Sequence, residues 1–174
     1  MSYVATDLRC GDYLLMVPPE HEPLPNRLLD DGIAISTVNP FTHSALVVEQ
    51  DGQLVIVEAL WHVTVSPLDK YAATGWRFRT DLTPTQQGVL SNAALSKVGQ
   101  LYGVASLWVG FLRDDLKIDI HPKLDPQHMD CSELVHWAFL QAGHRLTYAP
   151  RPSPADLSYS PRGHGPRPWD RPAS

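Results

Sequence analysis

Cysteine is scarce in these 174 residues: there are two, Cys10 and Cys131, far apart in the chain. Two cysteines cannot build a disulfide framework for a chain of this size, and a zinc site made mainly of Cys is not expected. Basic residues are also short, with 14 Lys and Arg against 19 Asp and Glu and a formal net charge of −5. Nucleic-acid binding needs a basic footprint, so nucleic acid is not an expected partner. No apolar run approaches the ~18 residues of a membrane-spanning helix. The opening MSYVATDLRCGDYLLMV lacks the basic start, apolar stretch and cleavage site of a secretory signal, so a cytoplasmic protein with free thiols is the expectation. Hydrophobic residues are not lacking: at 43% they suffice for one packed core, and the length suits one domain.

The 16 prolines punctuate the chain. PPEHEPLP (18–25) marks a loop after the first strand, DYLLMV (12–17). A second cluster begins at Pro150, and 162–174, with almost no apolar content, is expected to hang loose from a domain spanning 1–161. NRLLDDGIAIS (26–36) suits a short helix ending near Gly32. HSALVVEQ (43–50) and QLVIVEAL (53–60) are strands joined by Asp51-Gly52, the strongest short hairpin signal. HVTVS (62–66) extends or follows the second of them, and WRFRT (76–80) is a further strand. Thr83-Pro84 opens a helix to about Gln100. GVASLWVGFL (103–112) is helix or buried loop. A last helix runs from Cys131 to Ala142 and stops at Gly143. Strands first and helices after imply an α+β fold with an antiparallel sheet.

The chemistry concentrates in MDCSELVHWAFLQAG (129–143). Asp130 followed by Glu133 is a capping-box pattern, which puts Cys131 on the first helical turn. Unpaired amides and the helix dipole there favour a thiolate and can serve an oxyanion. A packed, inert Cys fits the helix equally well. In the hairpin, a two-residue turn sets Gln50 opposite Gln53 and Ala45 opposite Glu58. His43 and Glu58 then share one face as diagonal neighbours, roughly 5–8 Å apart at Cβ. Glu58 interrupts an otherwise apolar strand, and a buried acid needs a partner. A nucleophile, a base and an orienting acid are the components of thiol catalysis.

These segments resemble a known family. GDYLL (11–15), FTHSALVVE (41–49), VIVEAL (55–60), MDCSELVHWAF (129–139) and the closing PSPADLSYSP (152–161) resemble the circularly permuted branch of the NlpC-type, papain-like cysteine hydrolases, in its YiiX/YebB-like group. GQLYGVAS (99–106) resembles that group's Gly-x-Pro-Tyr segment. The resemblance implies a permuted papain-like α+β fold with the nucleophile helix late in the chain. It implies Cys131 as nucleophile, His43 as base and Glu58 as the orienting group, with no cofactor. Tyr102, Asp130 and Ser132 are candidates for substrate or oxyanion contacts. Leu101 replaces the group's usual Pro, and Asp130 stands where an aromatic is common; both bear on the pocket more than on the triad.

The implied reaction is acyl transfer through a thioester, with a peptide, peptidoglycan-peptide or acyl substrate. A lipid-directed acyltransferase or esterase and a silent binding or virion module of the same fold are the alternatives. A phage product released by lysis would need no secretory signal. His62 is the rival base, since on an extended second strand it would share the face of His43. His136 lies about 140° round the helix from Cys131 and points away. Cys10 reads as a packed thiol. His121 and His128, with Asp119 and Asp125, are the residues to weigh for a metal, but no HExxH or compact Cys/His spacing accompanies them, so no metal is expected.

Overall fold

The computed structural model describes residues 8–17, 39–72, 74–101 and 130–168, the last four by their backbone only. The expected helix at 26–36, the stretch 103–112, Tyr102 and the His121/His128 segment lie outside the described residues.

Among the described residues six strands form one antiparallel sheet: β1 (Tyr13–Met16), β2 (His43–Gln50), β3 (Gln53–Ala59), β4 (Val63–Ser66), β5 (Gly75–Arg79) and β6 (His164–Pro168), in the order β4-β3-β2-β1-β5-β6. Asp51 and Gly52 both have positive φ, 52° and 76°, as the two-residue turn demands. The register follows, with Gln50 opposite Gln53 and Ala45 opposite Glu58. The 62–66 stretch does not extend β3, which ends at Ala59; it turns back as β4 against it.

Among the described residues three α-helices follow, α1 (Pro84–Ser96), α2 (Cys131–Gln141) and α3 (Pro154–Ser158), and each begins with a capping box. In α3 the Ser-Pro-x-Asp-Leu run explains itself: Ser153 caps, Pro154 leads, Asp156 completes the box, and Leu157 is fully buried. Strand alternation sorts the core into two layers. Tyr13, Leu15, Leu46, Val48, Val57 and Phe78 pack beneath α1 and α2, meeting Leu90, Leu134, Val135 and Phe139. Leu14, Met16, Ala45, Val47 and Ile56 face the other way, under Leu8, Leu68, Tyr71 and Ala72. His43 and Glu58 belong by register to this second, thinner layer.

The expectation of a wholly loose tail is corrected at 164–168, where β6 pairs with β5 across a register shift between Arg77 and Arg79. An edge strand needs backbone pairing rather than apolar side chains, and it tolerates prolines that a central strand would not. Just before it, Gly163 sits over the Tyr13 ring. A Cβ at that position would lie 2.2 Å from the Tyr13 hydroxyl. Tyr13 is fully buried, stacks on Phe78 at 5.2 Å and donates to the Leu157 carbonyl at 2.9 Å, so it has nowhere to retreat. Gly163→Ala is therefore expected to cost roughly 1–3 kcal/mol in a urea unfolding curve.

Candidate active site

The Cys131 helix starts where the capping box puts it. The Asp130 carboxylate accepts from the Glu133 N–H at 2.7 Å, and Glu133 Oε2 accepts from the Asp130 N–H at 3.0 Å. Both polar groups of Asp130 thus serve the cap, and burial together with the negative sulfur pushes its carboxyl well above the usual range. Ser132 is fully buried, with its hydroxyl 3.3 Å from that of Ser44 on β2 and 3.9 Å from the Cys131 sulfur. This pair of hydroxyls anchors the start of α2 to the start of β2. The backbone N–H groups of Cys131 and Ser132 have no acceptor among the described residues, as expected for a first turn.

His43 is the first residue of β2, and its Nε2 lies 3.0 Å from Glu58 Oε2. The diagonal reach expected from the hairpin is realised as a direct hydrogen bond. By alternation the ring belongs to the face away from α2, yet it comes near enough to the Cys131 sulfur for each to shift the other's protonation. The meeting is possible because His43 stands at the strand end, one residue before Ser44, whose hydroxyl holds that of Ser132, the neighbour of Cys131. With Nε2 on Glu58, Nδ1 is the nitrogen left for the thiol.

Glu58 is completely shielded from solvent and carries more partners than His43. Oε1 accepts from Ser66 Oγ and from Lys70 Nζ, each at 2.5 Å, and Oε2 also accepts from the Tyr71 hydroxyl. Lys70 and Tyr71 come from a one-turn 3₁₀ helix, Leu68–Tyr71, that follows β4. Sequence reasoning missed these three. Ser66 was within its reach: Glu58 pairs with Thr64, so Ser66 is its diagonal neighbour by the rule that linked His43 to Glu58. Nothing in the spacing of Lys70 and Tyr71 pointed to the acid.

The electrostatics follow from these contacts. Burial opposes charge on the His43 ring, but its bonds to Cys131 and Glu58 prevail and raise it to about 9. Burial likewise opposes a thiolate, yet His43 and Ser44 lower Cys131 to about 6. Against its own burial, Glu58 is held down to about 2 by His43, Lys70, Ser66 and Tyr71. Cys10 goes the other way: burial raises it despite the hydroxyl of Ser91 at 3.2 Å.

The rival residues are placed elsewhere. His62 lies past the end of β3, exposed, in an isolated bridge to Leu101, so the shared face assumed for an extended strand does not exist. His136 is buried along α2 with its Nδ1 unpartnered, and it makes no hydrogen bond to Cys131, His43 or Glu58. The Gly-Asp near the first strand is architectural: Asp12 grips Arg79 through both oxygens, at 3.2 and 3.1 Å, tying β1 to β5.

A sheet that brings His43 and Glu58 first, with the Cys131 helix packed on it late in the chain, defines the class: an α+β protein of YiiX-like, papain-like fold. No protein-family model and no curated protein matches the sequence. Among solved structures the chain is similar to metalloprotein YiiX from Escherichia coli O157:H7, with a TM-score of 0.66 and 17% identity over 89% of this chain and 94% of that one. At that identity the likeness is one of fold. Among the described residues, no helix is long and apolar enough to cross a membrane.

Proposed function

We propose that the protein is a cysteine hydrolase that cleaves amide bonds through a thioester on Cys131. The observation that carries this reading is the convergence of Cys131, His43 and Glu58 at the junction of α2 and β2. The imidazolium holds the proton and the thiolate attacks the carbonyl carbon. The oxyanion is received by the free first-turn N–H of Cys131, at the positive end of the helix. His43 then gives its proton to the leaving amine as the C–N bond breaks. Water attacks the thioester, losing a proton to His43, and the C–S bond breaks to release the acid. Glu58 keeps Nε2–H bonded throughout, so the ring stays oriented and its charged form stabilised. A peptide or cell-wall peptide is the first substrate class, after the family the sequence resembles.

The similar E. coli protein is described as a metalloprotein. Among the described residues no group of three His, Cys, Asp or Glu side chains is arranged to hold a metal ion. Glu58, the acid bonded to His43, is a poor ligand: both oxygens are already bonded, one of them to an ammonium that would repel a cation. The described residues therefore do not fit a metal site.

Denaturing mass spectrometry after brief exposure to a nitrophenyl ester and a nitroanilide tests the reading. An acyl adduct on Cys131 from both substrates is expected, and an adduct from the ester alone would instead favour the lipid-directed alternative. No adduct from either would sink the hydrolase proposal. Acylation rate should be bell-shaped in pH. It rises through about 6 as the thiol ionises and falls through about 9 as the imidazolium is lost. The two limbs belong to the coupled pair rather than to either residue alone.

A further inference from the structure

A catalytic acid that only had to orient one histidine would need one or two hydrogen bonds. Glu58 has four partners, and two of them come from a single 3₁₀ turn outside the sheet. Lys70 Nζ reaches Oε1 at 2.5 Å and Ser66 Oγ at 3.4 Å, and it lies 5.0 Å from the centre of the Tyr71 ring. Tyr71 bonds Oε2, the oxygen that faces His43, while its ring lies 5.9 Å from the imidazole. The turn therefore touches both members of the His43–Glu58 pair. We propose that Lys70 and Tyr71 are positioning residues for the thiolate–imidazolium pair: they fix the Glu58 carboxylate against His43 Nε2, and the Lys70 ammonium limits how firmly that carboxylate holds the imidazolium proton. This rests on the hydrolase reading and deepens it.

The sign follows from the charges that face the pair. Facing Glu58 are His43 from β2, Ser66 from β4, and Lys70 and Tyr71 from the turn. Facing His43 are Glu58, Cys131 and the Tyr71 ring, and the Asp130 carboxyl lies beside the sulfur. Lys70 is the cation that shares Glu58 with His43. Without it the whole negative charge of Glu58 acts on the imidazolium, which then keeps its proton to higher pH. Loss of the Tyr71 hydroxyl acts in the same direction, because it removes a donor from the oxygen that His43 uses.

The test follows the His43 imidazole by NMR titration in Lys70→Met, Lys70→Arg and Tyr71→Phe, with His43→Ala to assign the signal. Alkylation of Cys131 by iodoacetate across pH is the second readout, since an anionic reagent is drawn in by the imidazolium and reports its loss. Lys70→Met and Tyr71→Phe are expected to move the alkaline limb upward by about half a unit or more, and Lys70→Arg to stay near wild type. A turn that merely supports the fold would lower the melting temperature and leave both limbs in place. Limbs unmoved in folded Tyr71→Phe and Lys70→Met would overturn the proposal. The two readings fail separately: a slow Cys131 with a shifted His43 defeats the hydrolase, and a fast Cys131 with an unshifted His43 defeats the positioning role.

Discussion

Cys131→Ala is expected to lower amide hydrolysis by roughly four powers of ten or more, with the fold retained, because Cys131 is the thiol that acts on His43 among the described residues. Alkylation of the wild type supplies a companion result that needs no substrate. Cys131 sits at about 6 and Cys10 above its ordinary value, so at pH 6.5 Cys131 is largely thiolate and Cys10 almost wholly thiol. A low-pKa sulfur is intrinsically less nucleophilic, which narrows the advantage of Cys131 in rate without reversing it. The direction is diagnostic, since exposure alone predicts the opposite order. Cys131 is 5% exposed, whereas Cys10 is only partly buried. Peptide mapping after a short iodoacetamide pulse should find the label on Cys131. Label found first on Cys10 would mean that the helix start and His43 do not activate the sulfur. His43→Ala should remove the preference.

Replacing Glu58 should damage stability and chemistry together. The carboxylate is fully buried and is the common acceptor for a lysine, a histidine, a serine and a tyrosine. Removing one member of such a buried charge network leaves the others unpaired, at a cost of about 3–5 kcal/mol. Glu58→Gln keeps the shape and loses the charge, so it should unfold at distinctly lower denaturant than wild type. The remaining fold should have an imidazole that loses its proton at lower pH and an acylation rate down by roughly two powers of ten or more. The pH dependence has a definite sign. A carboxylate held near 2 in the folded state stabilises fully above its ordinary value near 4.5, and that contribution disappears as pH falls through about 2. His43, held near 9, stabilises fully below its ordinary 6.5, and its contribution is lost as pH rises through about 9. Acid unfolding of Glu58→Gln should accordingly lack the component between about pH 4.5 and 2 that wild type shows. An unfolding midpoint and acid limb indistinguishable from wild type would show that the network contributes nothing net.

Much of this arrangement was legible because it is local. Asp51-Gly52 sets the hairpin, the hairpin sets the register, and the period of two puts His43 and Glu58 on one face. Asp130 and Glu133 set the start of α2, and Thr83-Pro84 that of α1, because caps are chemistry between residues a single turn apart. The α+β order of elements needed no more than this. The misjudged pieces depended on pairing across long separations. Segment 164–168 looked loose because an edge strand is bound by a partner backbone that its own composition does not reveal. His62 looked eligible because nothing local marks the end of β3 at Ala59.

Whether the parts meet was settled in three dimensions. Alternation alone would separate the His43 ring from α2 by the thickness of the sheet. The strand end relieves that rule, and the Ser44–Ser132 hydroxyl pair holds the helix start beside it. The environment of Glu58 was likewise beyond local spacing: Lys70 and Tyr71 reach it only because the 3₁₀ turn folds back over the thin face of the sheet. Short-range rules assign each residue its element and its side. Long-range packing alone decides which charges are shut away from water together, and so which of them become reactive.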